Sequence, residues 1–89
     1  EHSVVMTHGD RFPSPYGLDM QGGDIFISGH THSPRLVMQE DGILHINPGS
    51  TTFPRTALGP TYALLFEDGA SIRSLDDDRP LPSLQYYFL

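Results

Sequence analysis

Short apolar runs alternate with turn-forming residues along most of this chain. Ser3–Thr7 (SVVMT) and Asp24–Ser28 (DIFIS) are compact apolar stretches of the kind that form buried strands. Arg35–Gln39 and Ile43–Asn47 flank Glu40-Asp41-Gly42, which predicts a hairpin with Gly42 in a left-handed conformation. Thr61–Glu67 and Ser71–Leu75 flank Asp68-Gly69-Ala70, predicting a second hairpin. Leu84–Leu89 reads as a final strand in the tail that starts at Pro80, and Asp76–Asp78 as a solvated turn. Between these runs, 9–23 and 51–60 read as loops, with at most one helical turn near Leu18–Gln21. The expected fold is therefore mainly β, with about five to seven strands. Apolar strands such as the first two normally need cover on both faces. So few predicted helices imply that cover comes from outside these 89 residues.

Composition sharpens this picture. Nine glycines and eight prolines in 89 residues favour turns over long helices. The net charge is −6, with five arginines and no lysine, which argues against a nucleic-acid partner. No cysteine is present, so disulfides and thiolate metal sites are excluded and a reducing, cytoplasmic compartment is favoured. No apolar run approaches the length needed to cross a bilayer, and no segment resembles a signal peptide. The chain begins at Glu1 rather than Met, which reads as a start other than the translation start.

The candidate chemistry lies in the five histidines. His8 follows the first strand and is followed by Gly9. His30 and His32 follow the second strand within Gly29-His30-Thr31-His32. Ligands collect at such strand ends because loops there vary while the sheet holds them. Neutral imidazole suits Zn, Mn and Fe, and the neighbouring glycines permit close backbone approach to an ion or phosphate. An extended His-x-His would put both rings on one side, whereas a turn would splay them toward two ions. On the residues alone, metal ligation and ordinary polar residues at loop edges both stand. His45 alternates with Leu44 and Ile46, as expected of a satisfied core or sheet-surface histidine, and His2 lies near a terminus.

Taken in order, Thr7-His8-Gly9, Gly29-His30-Thr31-His32 and Asn47-Pro48-Gly49-Ser50 resemble the last three signature blocks of the calcineurin-like metallophosphoesterases. The short step from His8 to His30 is similar to that of the short bacterial phosphodiesterase branch, whose relatives include the non-enzymatic retromer scaffold subunit. The resemblance covers about residues 3–80. It implies that 1–89 form the C-terminal part of a single metallophosphoesterase domain, a two-sheet β-sandwich flanked by helices that are mostly missing here. It further implies a phosphodiesterase or phosphatase acting on small phosphoesters through two divalent ions. Mn is favoured, with Zn, Fe and Ni also compatible. His8 and His30 would bind one ion and His32 the other, with Asn47 and Gly49 behind them in supporting roles.

The family's upstream blocks, Asp-x-His, Gly-Asp-x-x and Gly-Asn-His-Asp, do not occur in order in this sequence. The resemblance thus implies a missing N-terminal half of the domain as a partner, and no complete catalytic set in this chain. Asp10 stands where members of the branch often have a histidine; it reads as a loop cap, with a charge facing the site as the alternative, while Arg11, Arg35 and Arg55 read as surface residues near the motif loops, where one could orient a phosphate. Two alternatives remain: a non-catalytic scaffold or interaction fragment of the same fold, and a stand-alone histidine metal module.

Overall fold

The computed structural model describes residues 3–9, 20–51 and 59–87. His2, Asp10, Arg11, Arg55 and the first half of the anticipated helical turn lie outside that range. Among the described residues there are strands and turns but no helix. The strands are β1 (Val4–Thr7), β2 (Ile25–Ser28), β3 (Arg35–Met38), β4 (Leu44–Asn47), β5 (Thr61–Phe66), β6 (Gly69–Ser74) and β7 (Pro80–Tyr87). They form a four-stranded sheet in the order β1-β2-β4-β3 and a three-stranded sheet in the order β5-β6-β7.

The first sheet is mixed. β1 and β2 are parallel, as are β2 and β4, while β3 closes the sheet as the antiparallel partner of β4. The β3–β4 connection is the anticipated hairpin. Gly42 has φ 83° and donates its N–H to Gln39 O at 2.9 Å, and the Asp41 carboxylate accepts from Ile43 N at 3.0 Å. β5, β6 and β7 form an antiparallel meander with a register shift between Ser71 and Arg73.

Alternation along the strands sorts the first sheet into two faces. Ile25, Leu44 and Ile46 are buried in one cluster with Ala70 of β6, and Ile27, Leu36, Ala63 and Tyr86 pack around them. This face joins the two sheets as a sandwich. The register places Val5, Phe26, His45 and Val37 side by side on the opposite face.

Among the described residues β1 pairs with β2 alone, and Val4 is 49% exposed and Met6 73%, so the apolar strand lacks the cover it was expected to draw from outside these 89 residues. One expectation needs correction. The second hairpin turns at Glu67-Asp68, not at Asp68-Gly69-Ala70, because Gly69 already pairs with Phe66 and Tyr87 inside β6. A Cβ at Gly69 would collide with the Tyr86 carbonyl. This glycine serves close approach of the β7 backbone, one of the standing reasons for glycine inside a strand.

One structural device escaped the hydrophobic pattern. Asp24, buried just before β2, accepts the Ser3 N–H at 3.0 Å and the Gln21 N–H at 2.9 Å, one on each carboxylate oxygen. It thereby fastens the start of β1 to the turn leading into β2. The residue reads in sequence as the first position of a strand, and only the preceding Gly-Gly pair signals a turn that an aspartate could cap.

Candidate metal centre

The parallel pairing of β1 and β2 brings their C-terminal ends level, with Thr7 beside Ser28. The His8-Gly9 and Gly29-His30-Thr31-His32 segments therefore leave the sheet next to each other. A backbone hydrogen bond from Gly29 N to His8 O, 3.0 Å, ties the two loops. Gly9 has φ 101°, and a Cβ there would lie 2.8 Å from Gly29 O and 3.3 Å from His30 Cβ. No larger residue would let the loops come this close.

Their approach sets His8 and His30 face to tilted face, with ring centroids 5.5 Å apart and planes at 57°. Both side chains are exposed, and His32 is half-buried. Metal–imidazole bonds of about 2.0–2.1 Å keep two rings sharing one ion roughly within this separation. The His8–His30 pair thus fits the donor set of a borderline or nitrogen-loving divalent ion. Among the described residues, no group of three or more His, Cys, Asp or Glu side chains is arranged around one point. His8 and His30 come together, and His32 shares the loop of His30 without completing a three-ligand cluster with them.

The His-x-His segment is turned, not extended. His30 has φ 74° and His32 φ 61°, both left-handed, where residues with a side chain are uncommon. Thr31 N donates to Gly29 O at 2.9 Å, closing a three-residue turn centred on His30. An i→i+2 bond around a residue with φ near +75° marks the rarer, strained form of γ-turn.

Asn47 sits beneath this turn at the end of β4. It is 7% exposed. Its amide nitrogen donates to Gly29 O at 3.2 Å and to Thr31 Oγ1 at 2.9 Å, and its carbonyl oxygen accepts Gly49 N at 3.0 Å. Asn47 was anticipated behind a histidine ring. The bonds it makes run instead to the backbone and hydroxyl of the histidine loop. Gly49 has φ 82°, and Thr61 Oγ1 donates to Pro48 O at 2.8 Å, so the Asn-Pro-Gly-Ser turn is fixed from both sides.

A cleft of about 380 Å³ opens beside the loop, lined by Gly9, Ser28, Thr31, Arg35, His45 and Asn47 among others. His45 lies on the sheet as expected, next to Phe26 with ring centroids 5.6 Å apart. It is not the satisfied histidine anticipated, since its buried Nε2 has no hydrogen-bond partner among the described residues. Burial, and after it the Arg35 guanidinium, hold its pKa below the ordinary 6.5, against an opposing pull from Asp41. Nothing local in the sequence marks that orphaned nitrogen.

Comparison with known proteins establishes the family and the fold. Residues 1–69 match the model of the calcineurin-like phosphoesterase superfamily domain. This chain belongs to that family. It is 33% identical over 74 residues to the phosphodiesterase YfcE of Escherichia coli K12, covering 83% of this chain and 40% of that protein. It is 42% identical over 72 residues to a probable metallophosphoesterase of Methanothermobacter thermautotrophicus, covering 80% of this chain and 40% of the relative. The solved structure of Escherichia coli YfcE superposes with a TM-score of 0.80 at 29% identity, over 97% of this chain and 47% of that one. A predicted phosphoesterase from Streptococcus pneumoniae shares the fold, with a TM-score of 0.66 at 23% identity over 96% of this chain and 55% of its own. The chain thus spans less than half the length of these curated relatives. Among the described residues, no helix is long and apolar enough to cross a membrane.

Proposed function

We propose that residues 1–89 are the C-terminal part of a metallophosphoesterase domain that hydrolyses small phosphoesters, and that His8, His30 and His32 are its histidine ligands. The observation that carries this reading is the His8–His30 pair, held 5.5 Å apart by loops that a backbone hydrogen bond locks together. His8 and His30 would hold one divalent ion, and the left-handed turn at His32 would direct its ring to a second. Mn is the favoured metal, with Zn, Fe and Ni also suited to imidazole and oxygen ligands. Ions held there would supply polarisation of the phosphoryl group and activation of a water for attack on phosphorus.

The chain's own residues do the positioning. The Gly29–His8 bond fixes the distance between the two histidine loops. The exposed rings leave solvent and a phosphoester free to approach from the strand-end side. Carboxylate ligands and the group that assists the leaving oxygen would come from the part of the domain that the relatives carry beyond the matched region. The reaction would be soluble and cytoplasmic, consistent with the absence of cysteine.

The test is hydrolysis of chromogenic phosphodiester and phosphomonoester substrates with added Mn²⁺, by the polypeptide as its gene encodes it and by its His30→Ala variant. A fall in kcat/KM of at least about a hundredfold in the variant, some 2.7 kcal/mol in the barrier, is expected. Turnover within tenfold of the parent would remove His30 from the site. No turnover by either, with intact folding, would favour the scaffold reading.

A further inference from the structure

We infer that Asn47 is a positioning residue that holds the His30 γ-turn in its strained shape, through Gly29 O and Thr31 Oγ1, so that His30 and His32 are aimed before any metal arrives. This deepens the proposed function and rests on it. Two residues in one four-residue motif have left-handed φ, at 74° and 61°, and both are histidines rather than glycines. Such conformations persist only where the surroundings over-determine them, and they concentrate at functional sites. A loop with no chemical task would be relieved by glycine at either position.

The surroundings that hold the loop are visible. Gly29 O is the anchor. It accepts the Thr31 N–H that closes the turn and, from below, the Asn47 amide. Thr31 Oγ1 is the second point of attachment, accepting from Asn47 Nδ2 at 2.9 Å and from Ser33 N at 3.3 Å. Thr31 thus fastens the loop on the Asn47 side, between two histidines that the left-handed turns carry away from an extended course. The clamp is itself anchored, because Asn47 Oδ1 is engaged by Gly49 N and Asn47 ends the buried strand β4. The Asn47 amide fulfils both duties, donating two bonds to the loop while accepting from Gly49. A carboxylate can do only the second.

The experiment compares Thr31→Val, Thr31→Ser and Asn47→Asp in the polypeptide as encoded. Two quantities are read: Mn²⁺ affinity by calorimetry, and hydrogen exchange of the Thr31 amide by NMR without metal. Thr31→Val keeps shape and charge while removing the acceptor, and residue 31 is exposed, so the fold should survive. Asn47→Asp keeps the Gly49 bond and removes the donor. Both should weaken Mn²⁺ binding about 10–100-fold, as loss of groups behind metal ligands commonly does, and should speed Thr31 exchange at least tenfold. Thr31→Ser should restore both to within about twofold. Should Asn47→Asp not fold, the two Thr31 variants decide alone. Faster exchange with unchanged metal affinity overturns the positioning role, as does unchanged exchange in Thr31→Val. A parent that takes up no Mn²⁺ overturns the proposed metal centre instead, and exchange alone then decides the clamp.

Discussion

Replacing Gly49 by alanine strikes the turn beneath the histidine loop, and its cost follows from the structure. Gly49 has φ 82°, where an L-residue loses roughly 1–2 kcal/mol. An added Cβ would run into Thr61 Oγ1 and sit 3.3 Å from both Thr61 Cβ and Pro34 Cδ. Thr61 is 1% exposed, and its hydroxyl is bonded to Pro48 O at 2.8 Å. Pushing that hydroxyl aside leaves a buried polar group unpaired, at about 1–3 kcal/mol. The smaller conformational freedom of the unfolded alanine chain returns about 0.4–1 kcal/mol. The net loss should be about 1–4 kcal/mol, read from urea unfolding followed by circular dichroism. Removing Thr61 Oγ1 as well separates the two causes. In the Gly49→Ala/Thr61→Ala double variant the clash disappears while the backbone cost stays, so the two substitutions should couple by at least about 1 kcal/mol. A single-variant loss below about 0.5 kcal/mol, or strict additivity with Thr61→Ala, would refute the packing described around this turn.

Asp24→Ala removes the carboxylate bonds to Ser3 N and Gln21 N at the start of β1 and should cost about 3–6 kcal/mol in the same unfolding experiment, hydrogen bonds to a charged group being worth roughly 1.5–3 kcal/mol each; a loss under 1 kcal/mol would show the two bonds to be replaced by water. For His45 the sign follows from its lowered pKa. The unfolded chain takes up the proton first as pH falls below about 6.5, so stability should decline from there and level off once pH passes the lower folded pKa. His45→Phe should flatten that part of the stability–pH curve, and an unchanged slope would mean that another group titrates there.

Much of the architecture was legible because it rests on local chemistry. The β3–β4 hairpin follows from Gly42 between two apolar strands, and the level strand ends of His8 and His30 follow from two apolar runs each meeting a glycine. What escaped was decided at a distance. Gly69 looked like a turn residue, yet its absent side chain admits the Tyr86 carbonyl from a strand many residues later. The left-handed histidines are the sharpest case. Local preference puts glycine first at positive φ, with Asn, Asp and His next among residues with side chains, so the sequence Gly29-His30-Thr31-His32 places the expected freedom first at Gly29. The structure puts it at His30 and His32 instead, held through Asn47, many residues downstream.

Charge limits what this histidine cluster could do by itself. Two dications about 4 Å apart repel strongly; even single unit charges at that distance interact by about 4 kcal/mol at an effective dielectric of 20. Neutral imidazoles donate electron pairs but do not cancel that repulsion. Carboxylates must, and among the described residues none joins the histidines in a group of three or more possible ligands. Asp24 binds the backbone at the start of β1, Asp41 the β3–β4 turn, and Asp77 and Asp78 pair with Arg79 and Arg73. The proposed centre therefore needs acidic ligands beyond these, and the relatives carry more than half of their length outside the matched region. The division of labour that results is physical. On the proposed reading, the end of the four-stranded sheet would contribute imidazole donors on loops held by Asn47 and the Gly29–His8 bond. The charged ligands would then gather the ions onto a turn that has no reorganisation left to make. An apo protein whose His30 loop already has its metal-bound shape, seen as unchanged Gly29–His32 backbone shifts apart from the rings on adding a diamagnetic ion such as Zn²⁺, is the direct consequence. A loop that rearranges on binding would instead place the strain in the metal's hands rather than in Asn47's.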